Sequence, residues 1–152
     1  MKSVILVVIF GIASIAAFGQ NDHRVKQFNL DDGLAIEGYD PVAYITQQKA
    51  IKGKKDLAYT QQGVTYYFSS ATNKELFVKD PKKYEPQYGG WCAYAMGETG
   101  EKVEIDPETF KVIDGKLYLF YNSLFNNTLP KWNKDESKLK PKADNNWKNT
   151  YK

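Results

Sequence analysis

Soft-atom chemistry in this chain rests on one residue. Cys92 is the single cysteine, and it follows Gly89-Gly90, where missing side chains let backbone or a ligand come close. Three roles are open to it: a small buried hydrophobe, a ligand or metal contact, or a thiolate nucleophile. A thiolate needs a neighbouring cation or helix terminus to lower its pKa. The single histidine, His23, lies in a polar amino-terminal stretch and offers little as such a partner. Met96 stands four residues after Cys92, so on a helix the two sulfurs would share a face. Cysteine and methionine suit copper(I) or another soft metal. Cys92 and Met96 are therefore the candidate metal ligands, although nothing in the sequence requires a metal. Tyr39, Asp40, Tyr88 and Trp91 join Cys92 as candidate ligand-binding residues, because aromatic walls with a few placed polar groups build small-molecule sites. The competing role for these rings is the core of a Tyr-rich domain, and for Asp40 it is a helix cap.

Several chemistries are excluded. One cysteine rules out an internal disulfide framework. One cysteine and one histidine cannot close a four-ligand structural zinc site. The acidic residues Asp31-Asp32, Glu98, Glu101, Glu104 and Asp106 lack the spacing of an EF-hand and read as solvated loops. Gly115-Lys116 lacks the upstream glycines of a phosphate loop. No catalytic residue is assigned.

The elements that must position these residues fit one domain. The chain has 152 residues, 42% hydrophobic and 26% charged, enough for a core of its own. Met1-Lys2, the apolar run Val4 to Phe18 and the small residues of Ala17-Phe18-Gly19 match a secretory signal peptide. The run is shorter than the roughly 20 residues that span a bilayer. This divides the chain into a signal peptide at 1–19, a polar amino-terminal segment at 20–35 with one strand around Val25 to Leu30, and a domain at 36–152. The mature protein is expected outside the cytoplasm, periplasmic or extracellular, with no membrane contact once the signal is gone. Residues 131–152 carry a net charge of +4 and residues 20–130 a net of −2. The lysines of that basic end are spread at helical spacing between apolar residues. They form a solvated face, and no nucleic-acid partner is expected.

Leu57 to Gln61 and Val64 to Phe68 flank Gln62-Gly63 and read as a hairpin. Phe110 to Ile113 and Lys116 to Tyr121 flank Asp114-Gly115, which suits a two-residue type I′ turn. Ser70 caps a short helix at Ala71 to Val78. Asp40-Pro41, Asp80-Pro81 and Asp106-Pro107 each read as the start of a helical turn. From Ser123 onward the pattern is helical. Phe125, Leu129 and Trp132 share one face, Leu139, Ala143 and Trp147 repeat the spacing, and Pro130 and Pro141 divide the region into two or three short helices. The expected fold is α+β: a small antiparallel sheet of two hairpins with short helices packed against it and a helical carboxyl-terminal region.

Gly38-Tyr39-Asp40-Pro41-Val42-Ala43-Tyr44 is followed by Tyr66-Tyr67-Phe68-Ser69-Ser70, then by Asp80-Pro81 and Tyr84. Next come Pro86-Gln87-Tyr88-Gly89-Gly90-Trp91-Cys92, Asp114-Gly115-Lys116-Leu117-Tyr118 and Lys142-Ala143-Asp144-Asn145-Asn146-Trp147. These blocks, in this order over about residues 36 to 148, resemble the YHS-domain family in its exported single-domain bacterial branch. The resemblance implies the fold. It implies metal chelation only weakly, because Tyr67-Phe68-Ser69 lacks the family's histidine. Ala43 and Ser70 stand where metal-handling relatives tend to carry cysteines. The expected function is an exported module that binds a small ligand or a soft metal ion. The alternatives are a protein-interaction domain, its partner unidentified, or a Cys92-dependent enzyme. Intact mass of the exported protein should show loss of residues 1–19 and a chain starting at Gln20; the full-length mass recovered from membranes would refute the export expectation.

Overall fold

A computed structural model describes residues 21–151, so the signal-peptide expectation lies outside the described residues. The fold is α+β, as the sequence patterns imply. The first element among the described residues is a helix, α1, at residues 21–27, where the sequence suggested a strand from Val25. The helix wins because Arg24 and Phe28, four apart, are both buried on one side, and the Phe28 amide donates to the Arg24 carbonyl at 3.1 Å. Extended structure begins only at β1, Leu30–Asp31, which turns back into β2, Leu34–Ala35.

Helix α2, Pro41–Thr46, follows a short 3-10 turn at Ile36–Gly38. The first expected hairpin is present as β3, Lys54–Gln61, and β4, Val64–Phe68. β2 pairs with β4 in parallel at Leu34↔Thr65, so the sheet has four strands in the order β1-β2-β4-β3. The polar segment ahead of residue 36 is thus built into the sheet. Ser70 caps α3, Ala71–Lys79, by accepting from the Asn73 amide, and Asp80-Pro81 opens the single turn α4, Pro81–Tyr84. A second 3-10 turn, Gln87–Gly90, leads to α5, Ala93–Glu98.

The second hairpin is β5, Asp106–Ile113, with β6, Lys116–Phe120, and it forms a sheet of its own. Asp106-Pro107 therefore starts a strand rather than a helical turn. The Asp106 carboxylate is used laterally, accepting from the Glu108 amide and the Thr109 hydroxyl. β6 divides the interior. Its side chains alternate between faces, and both faces are buried. Leu117 and Leu119 join the core of Val42, Tyr66, Phe68 and Phe77, while Tyr118 and Phe120 join that of Met96, Trp132 and Leu139.

The carboxyl-terminal region matches the expected short helices in part. β7, Asn122–Ser123, and β8, Asn126–Asn127, make a minimal hairpin, and α6, Leu129–Thr150, follows as two helical segments joined across a kink. Its backbone breaks at Asp135 (φ −129°), and Pro141 is carried inside it. Trp132, Leu139 and Ala143 face the core as their spacing implies. Phe125 does not, because it lies in the loop of the β7–β8 hairpin and is 96% exposed. The β5–β6 turn has Asp114 at φ 51° and Gly115 at φ 72°, the double positive φ of a type I′ turn. No atom lies within 4 Å of a Cβ placed on Gly115, so a substitution there tests backbone conformation alone. Gly115→Val should lower stability by roughly 1–3 kcal/mol in denaturant titration; an unchanged midpoint would refute the turn.

Candidate functional site

Asp40 ends an extended segment, and Pro41 at the first position of α2 makes it the helix cap. Its carboxylate is fully buried and accepts five hydrogen bonds. Oδ1 takes the amides of Val42 (2.9 Å) and Ala43 (3.3 Å). Oδ2 takes the Ser69 amide (2.8 Å), the Ser69 hydroxyl (2.6 Å) and the Asn73 side-chain amide (2.7 Å). With its acceptor sites so engaged, Asp40 is committed to structure. It ties the Asp-Pro-Val block to the Tyr-Phe-Ser-Ser block.

Tyr39, by contrast, lies at the surface. Its hydroxyl donates to Glu108 at 3.0 Å, and the Lys52 ammonium sits 5.0 Å from its ring centroid. Partial burial and the Glu108 carboxylate raise its pKa. The Trp91 indole N–H donates to the Gln27 carbonyl at 2.7 Å and so fastens α1.

Cys92 precedes α5 and is fully buried. Its Sγ accepts the Tyr121 amide at 3.3 Å and lies 3.5 Å from the Thr128 hydroxyl. Those two residues flank the β7–β8 hairpin, so the thiol is part of that hairpin's footing. Met96 is one helical turn further on, as the spacing implies, and is equally buried, but it packs in the core beyond β6. Among the described residues no group of three or more His, Cys, Asp or Glu side chains lies where it could hold a metal. Phe68, in place of the family's histidine, is buried against Phe77 with ring centroids 5.1 Å apart. Ala43 is buried and Ser70 caps α3. The three positions where the resemblance implies donors in metal-handling relatives hold here an aromatic, a methyl and a hydroxyl already in use. This donor set does not fit a soft metal.

The structure does not gather the sequence-derived site into one pocket. Of Tyr39, Asp40, Tyr88, Trp91 and Cys92, Tyr88 alone lines one of the two main cavities among the described residues. That cavity, about 450 Å³, lies where α1, the Gln87–Gly90 turn and the end of α6 meet. Tyr88 is held at φ 55° and donates its hydroxyl to Asp144 at 2.9 Å; burial, then the Asp144 carboxylate, raises its pKa. Gly89 is needed for packing rather than for a ligand. A Cβ there would meet the Trp147 ring at 2.8 Å and the Phe28 backbone at 3.2 Å.

Phe28, Trp147 and Tyr151 form the aromatic wall. Trp147 and Tyr151 stack at 5.3 Å, and Phe28 meets each of them edge-on at 6.4 Å. Arg24 and Glu85 supply the polar side. The Arg24 guanidinium is ion-paired with Glu85 and lies 4.3 Å from the Phe28 centroid. The Tyr66 hydroxyl donates to the same Glu85 oxygen at 3.1 Å, and burial, then Glu85, raises its pKa. Arg24 Nε is buried and has no hydrogen-bond partner among the described residues. A second cavity, about 540 Å³, is lined by residues of β1 and β2 together with Lys52 and Glu104, and has no aromatic wall.

Arg24, Glu85 and Trp147 were not singled out by their sequence context. One signal was available: Arg24 is the only arginine beside twenty lysines, and arginine is preferred where a cation must be paired while buried.

A packing role for Cys92 has a measurable outcome. Serine has a shorter reach than the thiol, so its hydroxyl would pair imperfectly with the Tyr121 amide and Thr128. Cys92→Ser should lose about 1–3 kcal/mol of stability and leave copper(I) affinity where it was. A folded variant of unchanged stability that loses copper(I) would reverse the assignment.

The sequence model of the YHS domain matches residues 42–88, from α2 to Tyr88. No curated protein matches the chain, and no solved structure does. The match covers the Asp40-capped helix, the β3–β4 hairpin, Ser69 and α3–α4, and it ends before Trp91 and Cys92. Residues 42–88 of this chain are a YHS domain.

Proposed function

We propose that this protein is a binding module for a small organic ligand, and that the cavity between α1, the Gln87–Gly90 turn and α6 is where the ligand sits. The observation that carries this reading is the meeting of three aromatic rings with a buried, paired arginine in one recess. Aromatic walls supply apolar contact, and a few fixed polar groups orient the ligand. Arg24 and, at the rim, the exposed Lys82 outnumber Glu85 in charge. The favoured ligand has a flat apolar body and one anionic or strongly accepting group. A soft metal is the weaker half of the sequence expectation, because the donors around Cys92 are engaged elsewhere. Export is part of the proposal and rests on the Met1-Lys2, Val4 to Phe18 and Ala17-Phe18-Gly19 pattern. No helix among the described residues is long and apolar enough to cross a membrane.

Native mass spectrometry with elemental analysis, on protein purified from its own host, tests the reading. A small organic adduct should accompany the wild-type chain and be lost from a folded Trp147→Leu variant. A bare chain mass, a stoichiometric metal, or an adduct that survives the substitution would each refute it.

A further inference from the structure

The β7–β8 hairpin presents a feature that ligand binding does not use. Asn122 pairs with Asn127 and Ser123 with Asn126, so Leu124-Phe125 is its two-residue loop. These side chains are 92% and 96% exposed. Tight hairpin loops favour Gly, Asn and Asp, and two adjacent large apolar side chains at a tip gain nothing from the fold itself. The tip is nevertheless firmly mounted. The Asn122 side-chain amide donates to Thr109 at 2.9 Å, and the Thr128 amide and hydroxyl both donate to the Tyr121 carbonyl, at 3.0 and 2.8 Å. Cys92 packs beneath both flanks. Basic side chains follow the hairpin on α6. Exposed Lys131 donates to Asn126 at 2.8 Å, and exposed Lys134 is one turn further along α6. Of the three carboxylates on α6, Glu136 is engaged by Lys111 and the Trp132 indole, and Asp144 by Tyr88 and Lys140. Asp135 is the exposed exception.

We propose that the Leu124-Phe125 tip inserts into the interfacial layer of an anionic lipid membrane, with Lys131 and Lys134 at headgroup level. Two side chains on a narrow tip are far short of the roughly 800 Å² per partner of a stable protein interface. They are the right size for shallow interfacial insertion assisted by basic neighbours. The excess positive charge of residues 131–152 complements an anionic surface. The proposal departs from the expectation of no membrane contact after signal removal. The helical reading from Ser123 onward placed Phe125 on one face with Leu129 and Trp132, and the structure places it in the open. It stands independently of the ligand cavity, because no tip residue lines that cavity.

Cys92 is buried, so Ser123→Cys in the full chain can carry a polarity-sensitive fluorophore at the tip with Leu124 and Phe125 intact. Vesicles of phosphatidylcholine mixed with phosphatidylglycerol should shift its emission to the blue, and phosphatidylcholine alone should do so less. Leu124→Ser with Phe125→Ser in the labelled chain should weaken partitioning by about tenfold or more. Lys134→Ala should weaken it by about fivefold at low salt. Melting of each variant should be unchanged, because none of these side chains is buried. A probe that stays in water on anionic vesicles overturns the proposal, even if the chain is held there by its amino-terminal segment. So does a blue shift that needs only higher protein concentration, which would assign the tip to a second copy of the chain. A shift indifferent to the double substitution overturns it as well.

Discussion

A single buried carboxylate holds the YHS portion of this protein together. Asp40 caps α2 with one oxygen and gathers Ser69 and Asn73 with the other. Without it, three backbone amides, a hydroxyl and a side-chain amide would lose their acceptor, each buried group left unpaired costing about 1–3 kcal/mol. The same contacts set geometry. α2 is fixed against the end of β4, and α3 starts where Ser70 caps it and Asn73 reaches back to Asp40. The tyrosine and phenylalanine side chains of β4 then have defined neighbours, including Phe77. The Asp40-Pro41-Val42 and Ser69-Ser70 blocks are, physically, the two ends of this network.

The second organising constraint is β6. A strand buried on both faces reads as a continuous apolar run, and Leu117 to Phe120 is such a run. One hairpin partner therefore serves two cores, and α5 and α6 close over the side away from the four-stranded sheet. Gly97 permits this closure: a Cβ there would come within 2.7 Å of the Leu139 carbonyl.

Local chemistry was legible in the sequence wherever it was self-sufficient. Both hairpins, the Ser70 cap, the Asp40 and Asp80 helix starts, and the Trp132, Leu139 and Ala143 stripe follow from residue type and spacing alone. What was not legible depends on distant partners. Asp106-Pro107 has the local character of a helix start, but Asp106 pairs opposite Phe120 in a strand. Phe125 matches a helical face at i, i+4 and i+7, yet Asn122 and Thr128 find partners that close a hairpin before the helix begins. The parallel β2–β4 pairing joins residues about thirty positions apart and leaves no periodic trace. Which of the candidate site residues share a cavity was least legible, for the same reason. Tyr88 was singled out and does line the aromatic cavity. Asp40 and Cys92 were chosen for chemistry that their neighbours had already engaged, and Arg24 and Trp147 acquire significance only once they are brought together.

That cavity has walls from opposite ends of the sequence: Arg24 and Phe28 from α1, Trp147 and Tyr151 from the last turn of α6 and just beyond it. Contacts over such a separation carry the largest loop-closure cost, and they cannot form until the last residues of the chain are present. During synthesis, the Asp40 network and the β3–β4 hairpin can assemble while the recess still lacks its aromatic wall. The aromatic recess is therefore among the last of the described parts to assemble. A chain that loses the turn carrying Trp147 and Tyr151 would keep most of its core and, of that wall, only Phe28, so the recess reports whether residues 147–151 are present.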